Sequence, residues 1–381
     1  MDLYRSREQE DIGKAVREFA LREFDTQFAM ESEQNSGFPH AVWRKACDLG
    51  LKGIDLPEEY GGQGYGFSEK LVTLYELAAV NSSLGIAIGL ADIGSRLILR
   101  LGDERQKALL LPPVVKGDSL LSLVVDAPAK NVLPDLVLER VGSQFVVQGR
   151  KEYVVNGAVA NRILLVMADA GDPEGPSVFC LPAEHEGLHR QDLPDPIGLK
   201  ASQPATLVFD SVRLEECDLL RGSRHGTGLL SEFMIERKME TAVQALAIAE
   251  NGFGKALDYA RKREQFRTKI IEFQAIQLIL AGMATRLEAA RGFCGRVVDL
   301  INSQETETRR AGALVTMFKG FAVETSTRVT LDAIRVLGAY GLLADYHLEQ
   351  MFRDAVALGA MEGDAIEEQA SAGAGLAEGP Y

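Results

Sequence analysis

The chain has 381 residues, 46% hydrophobic and 25% charged, a balance that excludes large-scale disorder and is long enough for two or three domains. Its formal net charge of −14 leaves no basic excess to displace counterions from phosphates, so a nucleic-acid binder is excluded. A small anionic ligand needs only a few Arg or Lys and stays open.

The first stretch, "MDLYRSREQEDIGKAVREF", is charged and periodic and has no apolar signal-peptide core. From residue 5 to about 120 apolar residues recur at spacings of three and four, as in "HAVWRKACDLGL" (40–51) and "SEKLVTLYELAAVNSSLGIAIGL" (68–90), which predicts helices. "DLPEEYGGQGYGF" (55–67) interrupts them as a loop; no strand-to-helix turn follows, so it is no dinucleotide fingerprint. "LGIAIGLADIG" (84–94) carries Asp92 and is too short to span a bilayer. "GDERQKALLLPPVVKGD" (102–118) reads as a short helix stopped by a Pro pair.

The period then changes. "LLSLVVDAP" (120–128), "LVLERVGSQFVVQGRKEYVVNG" (136–157), "RILLVMAD" (162–169), "PSVFCLPA" (176–183) and "ATLVFDSVRL" (205–214) are β-branched and aromatic runs separated by Gly, Asp and Pro. From about 226 the helical period returns over 229–266, 275–302, 309–338 and 348–360, long helices with short links that imply an antiparallel bundle. The reading is an α+β protein: an N-terminal α domain (1–119), a middle β-barrel or sandwich domain (120–225) and a C-terminal antiparallel four-helix bundle (226–381).

Cys47, Cys180, Cys217 and Cys294 form no CxxC or Cys/His cluster, so neither disulfide nor zinc is expected and the compartment is read as the cytoplasm. The five His show no HxxxH or HExxH spacing, so no metal is expected, and no GxSxG points to a nucleophile.

Six strings in order resemble the acyl-CoA dehydrogenase family over almost the whole chain. They are "LPEEYGGQGYG", "GDERQKALLLPPVVKGD", "GRKEYVVNG" (family "GxKxWITNG"), "ARKREQFRTKIIEFQAIQ", "RVLGAYG" and "RDAVALGAMEGD" (family "RDA…IYEGT"). The resemblance implies FAD as cofactor and oxidation of an acyl-CoA thioester at Cα–Cβ. Glu362 falls on the family's catalytic base, in register with Arg353, Asp354 and Ala355. A lone Glu at a helix end is ordinarily a solvated surface group. Here the chemistry needs a fixed, desolvated carboxylate to remove a weakly acidic α-proton. Glu236, before Arg237 in "MIERKMETA", is a second carboxylate candidate for that role, and Arg237 is placed as a substrate contact.

The same resemblance assigns Arg263, Phe266, Gln274, Gly338 and Gly341 to FAD binding across a subunit interface. Departures cluster on the flavin. Val125 stands for a hydroxyl residue, and Tyr153-Val154-Val155 stands for "WIT", so Val155 donates no hydrogen bond. Arg335 replaces a Gln and Asp364 a Thr. Two alternatives follow: a non-catalytic or half-site subunit of a hetero-oligomer, or a member acting on carrier-protein-bound acyl groups or doing other flavin chemistry. The implied partners are an acyl-CoA or acyl-carrier thioester, an electron-transfer flavoprotein as acceptor, and further copies or homologues in a homo- or hetero-tetramer or dimer, with no membrane span.

Overall fold

The computed structural model describes residues 6–34, 37–126, 134–142, 144–167, 176–193, 195–222, 227–302, 308–361, 370 and 373. Helices lead from Arg7 to Val115: α1 (Arg7–Glu23), α2 (Thr26–Gln34), α3 (His40–Asp48), α4 (Phe67–Val80), α5 (Ser82–Gly89), α6 (Ser95–Leu101) and α7 (Glu104–Val115). Asp103 caps α7 by accepting the Gln106 N–H at 2.8 Å, and the Gln106 carboxamide returns to the Asp103 N–H. That carboxamide also donates to the Leu219 carbonyl at 2.8 Å, fastening the helices to the strands. Pro112 and Pro113 do not stop α7 as the sequence suggests. The helix closes over them in its last turn, with Lys116 N–H donating to the Pro112 carbonyl, and ends before Gly117 at φ +75°.

Strands β1 (Leu121–Asp126), β4 (Arg162–Met167) and β5 (Ser177–Pro182) form one sheet in the order β1-β4-β5, with β1 and β4 parallel. An antiparallel sheet is ordered β2-β3-β7-β6, from β2 (Leu136–Val141), β3 (Gln144–Val154), β6 (Leu188–Asp192) and β7 (Ala205–Leu214). Phe145 of β3 and Phe179 of β5 meet edge-to-face at 5.1 Å, so the two sheets share one core. The β3–β7 register shifts between Lys151 and Val154, and there Tyr153 takes φ +53°. β6 goes unseen in the sequence because "LHRQD" lacks the β-branched residues that mark the other strands.

The C-terminal helices are α8 (Thr227–Lys262), α9 (Gln274–Asn302), α10 (Thr308–Leu337) and α11 (Leu348–Gly359). All four lie within about two residues of the helical runs read from the sequence, except that the last residues of the first run turn into a hairpin. That hairpin, β8 (Glu264–Gln265) and β9 (Thr268–Lys269), turns through Phe266 and Arg267. The α–β–α architecture is as expected, and α4 and α6 pack on α8. Among the described residues no helix is long and apolar enough to cross a membrane.

Candidate active site

Helix α11 leads to the position read as the base. Glu362 itself, and Asp364, lie outside the described residues. The helix that delivers Glu362 is held from three sides. Asp354 has no exposed surface, and its carboxylate accepts the Ser82 hydroxyl of α5 at 2.6 Å and the Leu199 N–H of the β6–β7 link at 2.7 Å. Arg353 donates to the Ile197 carbonyl at 2.9 Å. Gly198 lies so close to α11 that a Cβ there would stand 2.4 Å from the Arg353 carbonyl. Finally, the fully buried Lys319 of α10 donates to the Met361 carbonyl, one residue before Glu362.

The strand carrying the candidate flavin contacts grips the same link. The Tyr153 hydroxyl donates to the Gly198 carbonyl at 2.9 Å. Burial, and secondarily the negative charge of Asp354, push the Tyr153 phenol up to about 12. Val125 is half-buried on β1, and Val155 is 7% exposed with its carbonyl accepting the Ser122 hydroxyl at 2.6 Å. Asn156, next along, was not singled out from the sequence. Its side chain donates to the Leu90 and Leu121 carbonyls, and its φ of +59° suits an Asn at a turn. The "VNG" triplet was the available signal.

Glu236 is not poised as a base. Both its oxygens are held by cations from α6: Arg96 donates at 2.9 and 2.8 Å and Arg100 at 2.5 Å. Arg96 continues to Asp55 at 2.9 Å, and Lys70 lies between Asp55 and Glu240. Arg237, placed as a substrate contact from the sequence, is instead a core group: it is 2% exposed and its guanidinium meets Glu240. Residues three apart share one face of a helix, so Arg237 and Glu240 face the N-terminal helices together. Glu236 and Arg237 are thus parts of one buried ion network joining α8 to α4 and α6.

A separate cleft of about 430 Å³ opens at the far end of α8, lined by Tyr259, Arg263, Phe266, Phe273, Arg335 and Tyr340 among others. The Arg263 guanidinium lies 5.8 Å from the Tyr340 ring centroid. Phe266 and Arg267 have φ of +54° and +64°, the two positive angles of a tight hairpin turn, in residues that rarely adopt them. This conformation leaves Phe266 91% exposed. Of the residues assigned to the flavin's far end, Arg263, Phe266, Arg335 and Gly338 line this cleft. Gln274 is exposed at the start of α9, and Gly341 is buried where a Cβ would press on Ile334 at 2.8 Å, so neither is among the lining residues. Guanidinium groups beside flat rings are the donor set that suits a pyrophosphate joined to a heterocycle.

Two family models match the chain: "Acyl-CoA dehydrogenase, N-terminal domain" over residues 6–118 and "Acyl-CoA dehydrogenase, C-terminal domain" over 224–367. An acyl-CoA dehydrogenase of Bacillus subtilis (strain 168) is 30% identical, covering 92% of this chain and 93% of its own length. An acryloyl-CoA reductase (NADH) of Anaerotignum propionicum is 29% identical, over 93% and 91%. The crystal structure of an acyl-CoA dehydrogenase from Geobacillus kaustophilus superposes with a TM-score of 0.88 at 26% identity, covering 98% and 99% of the two chains.

Proposed function

The chain belongs to the acyl-CoA dehydrogenase family of FAD-dependent oxidoreductases, and on that premise we propose that it oxidises an acyl-CoA thioester to the 2-enoyl thioester with Glu362 as the base. FAD, when bound, supplies the two-electron acceptor. Val125, Tyr153 and Val155 would meet its ring end through apolar and aromatic surface, and Asp364, two residues after Glu362 in "MEGD", would be a further flavin contact. Arg263, Phe266, Arg335 and Gly338, flanked by Gln274 and Gly341, would hold the far end of a FAD bound to a neighbouring copy. Electrons would leave to an electron-transfer flavoprotein. The four free cysteines suit a cytoplasmic setting.

The observation that carries this reading is the shared grip on residues 197–199. Asp354 and Arg353 of the helix leading to Glu362, and Tyr153 of the strand that would face the flavin, all hold those three residues. A base must sit at a fixed distance from the acceptor to remove one hydrogen as a proton while the other leaves with the electron pair. Binding one rigid link from both sides supports that distance.

The test is anaerobic bleaching of the flavin by a panel of acyl-CoA thioesters, short to long, in the parent and in Glu362→Gln. The reading requires bleaching by at least one thioester and its loss in the variant. Equal rates in both would transfer the base to another group.

A second reading is a half-site subunit, which lends its Arg263 cleft to a partner's FAD and holds none itself. The Val125 and Val155 departures favour it, because two hydroxyl contacts are gone while the cleft is intact. Flavin released by denaturing the protein purified alone separates the two: near one FAD per chain sinks the half-site reading.

A further inference from the structure

Helix α11 carries no basic residue in its own last turn, although the C-terminal end of a helix dipole favours a cation and leaves carbonyls to be satisfied. The cation comes instead from α10. Lys319 is fully buried, and its ammonium donates to the carbonyl of Met361, two residues beyond the last residue of α11. Burying an ammonium is costly unless it is paired and hydrogen-bonded, so the side chain is tied to its partners. Val323 lies four residues on, on the same face of α10. A Cβ at Gly359, where α11 ends, would stand 2.8 Å from Val323 Cγ1. The glycine lets the end of α11 lie this close to α10, and Lys319 reaches past it to Met361.

Met361 is held at both of its backbone groups. Its N–H donates to the Leu358 carbonyl at 3.2 Å, and its own carbonyl receives Lys319. That carbonyl belongs to the planar peptide unit joining Met361 to Glu362. A hold on its oxygen is therefore a hold on the bond from which Glu362 is hung. Arg353 and Asp354 grip α11 well before its end, so they place the helix but not the residues after Gly359.

We propose that Lys319 is a positioning residue for the reaction. Through the Met361 carbonyl its ammonium fixes the peptide bond leading to Glu362 and so, on the assignment of Glu362 as the base, the reach of that carboxylate toward the thioester's α-proton. Lys319 touches neither substrate nor flavin in this role; it acts through the backbone of Met361. The scale of the effect follows from geometry, because a misplacement of about 1 Å at a reacting group costs up to about a hundredfold in rate.

Hydrogen–deuterium exchange and anaerobic flavin bleaching of the full-length, FAD-loaded protein test this together. Lys319→Met keeps an unbranched side chain of similar size and removes the donor. The peptide spanning residues 359–364 should then exchange at least about tenfold faster, while the bodies of α10 and α11 keep their protection. Bleaching by a good thioester should slow about ten- to a hundredfold, with thioester affinity changed by less than about threefold. Lys319→Arg restores a cationic donor and should bring the rate back to within about fivefold of the parent. Gly359→Ala pushes the end of α11 off Val323 with the lysine untouched, and should also slow bleaching. Adding Val323→Ala makes room for the new methyl and should restore it. That pair reads the same contact if Lys319→Met does not fold. Glu362→Gln bleaching at the parent rate overturns the base, and the role of Lys319 with it. A slow Glu362→Gln beside a parent rate in Lys319→Met, or beside a slow Lys319→Met without faster exchange at 359–364, overturns Lys319 alone.

Discussion

Asp354 of α11 and Tyr153 of β3 hold neighbouring atoms of one link: the carboxylate takes the Leu199 N–H at 2.7 Å while the phenol donates to the Gly198 carbonyl at 2.9 Å. A bundle helix and a sheet strand are thereby locked through two residues of the β6–β7 connection. Ser82 adds the N-terminal helices to the same carboxylate.

Asp354→Ala should therefore destabilise the protein out of proportion to the atoms removed. It orphans the Ser82 hydroxyl and the Leu199 N–H in a dry site, a loss of about 3 kcal/mol in urea unfolding. Asp354→Asn keeps an acceptor and should cost less. In the surviving fraction, flavin bleaching should slow more than thioester affinity falls, because α11 stays but its end is no longer fixed.

Tyr153 predicts a stability that depends on alkali. Its phenol is raised in the folded state to about 12 from an ordinary value near 10. The neutral form is the one the fold prefers, so its contribution is complete below about pH 10 and is lost as pH rises from there toward 12. Tyr153→Phe should flatten the stability profile in that window, and the difference titration at 295 nm should show one phenol fewer ionising late. A steep profile unchanged in the variant would remove Tyr153 as its source.

What the sequence disclosed was local. The long helices α8, α9 and α10 carry the helical period over many turns, and six strands fall within the five β-branched runs, so their extents were legible. β6 was hidden by polar composition, and the β8–β9 turn by the absence of Gly or Asn at Phe266 and Arg267. Site residues followed the same rule. The motif placed Asp354 in register with Glu362, yet its partners Ser82 and Leu199 are 272 and 155 residues away, a pairing no local pattern announces. Glu236 was read as a rival base because its cations, Arg96 and Arg100, come from 140 and 136 residues earlier.

Those cations separate Glu236 from Glu362 experimentally. Glu236→Gln should lower stability by about 2–3 kcal/mol, since Arg96 and Arg100 lose the charge they were buried against. Its rate of flavin bleaching by a good thioester should stay near that of the parent. Glu362→Gln should do the reverse, keeping the unfolding midpoint and slowing the chemical step by about 10²–10⁴, the usual worth of a positioned base. A parent-like midpoint with a collapsed rate in Glu236→Gln would exchange the two roles.

Phe266 offers a way to part assembly from folding. Its ring is 91% exposed and its φ is +54°, so it gives little to its own fold and strains the turn that bears it. A large exposed apolar side chain in that position calls for something to cover it, and on the proposed function that would be a neighbouring copy with the cofactor it would hold. Phe266→Gly relieves the left-handed penalty and adds chain entropy to the unfolded state, so the two effects nearly cancel and monomer stability should shift by no more than about 1 kcal/mol. Light scattering should then show weaker assembly, and released flavin per chain should fall. If mass and flavin content match the parent, the cleft is not shared between subunits, and the exposed ring faces some other surface.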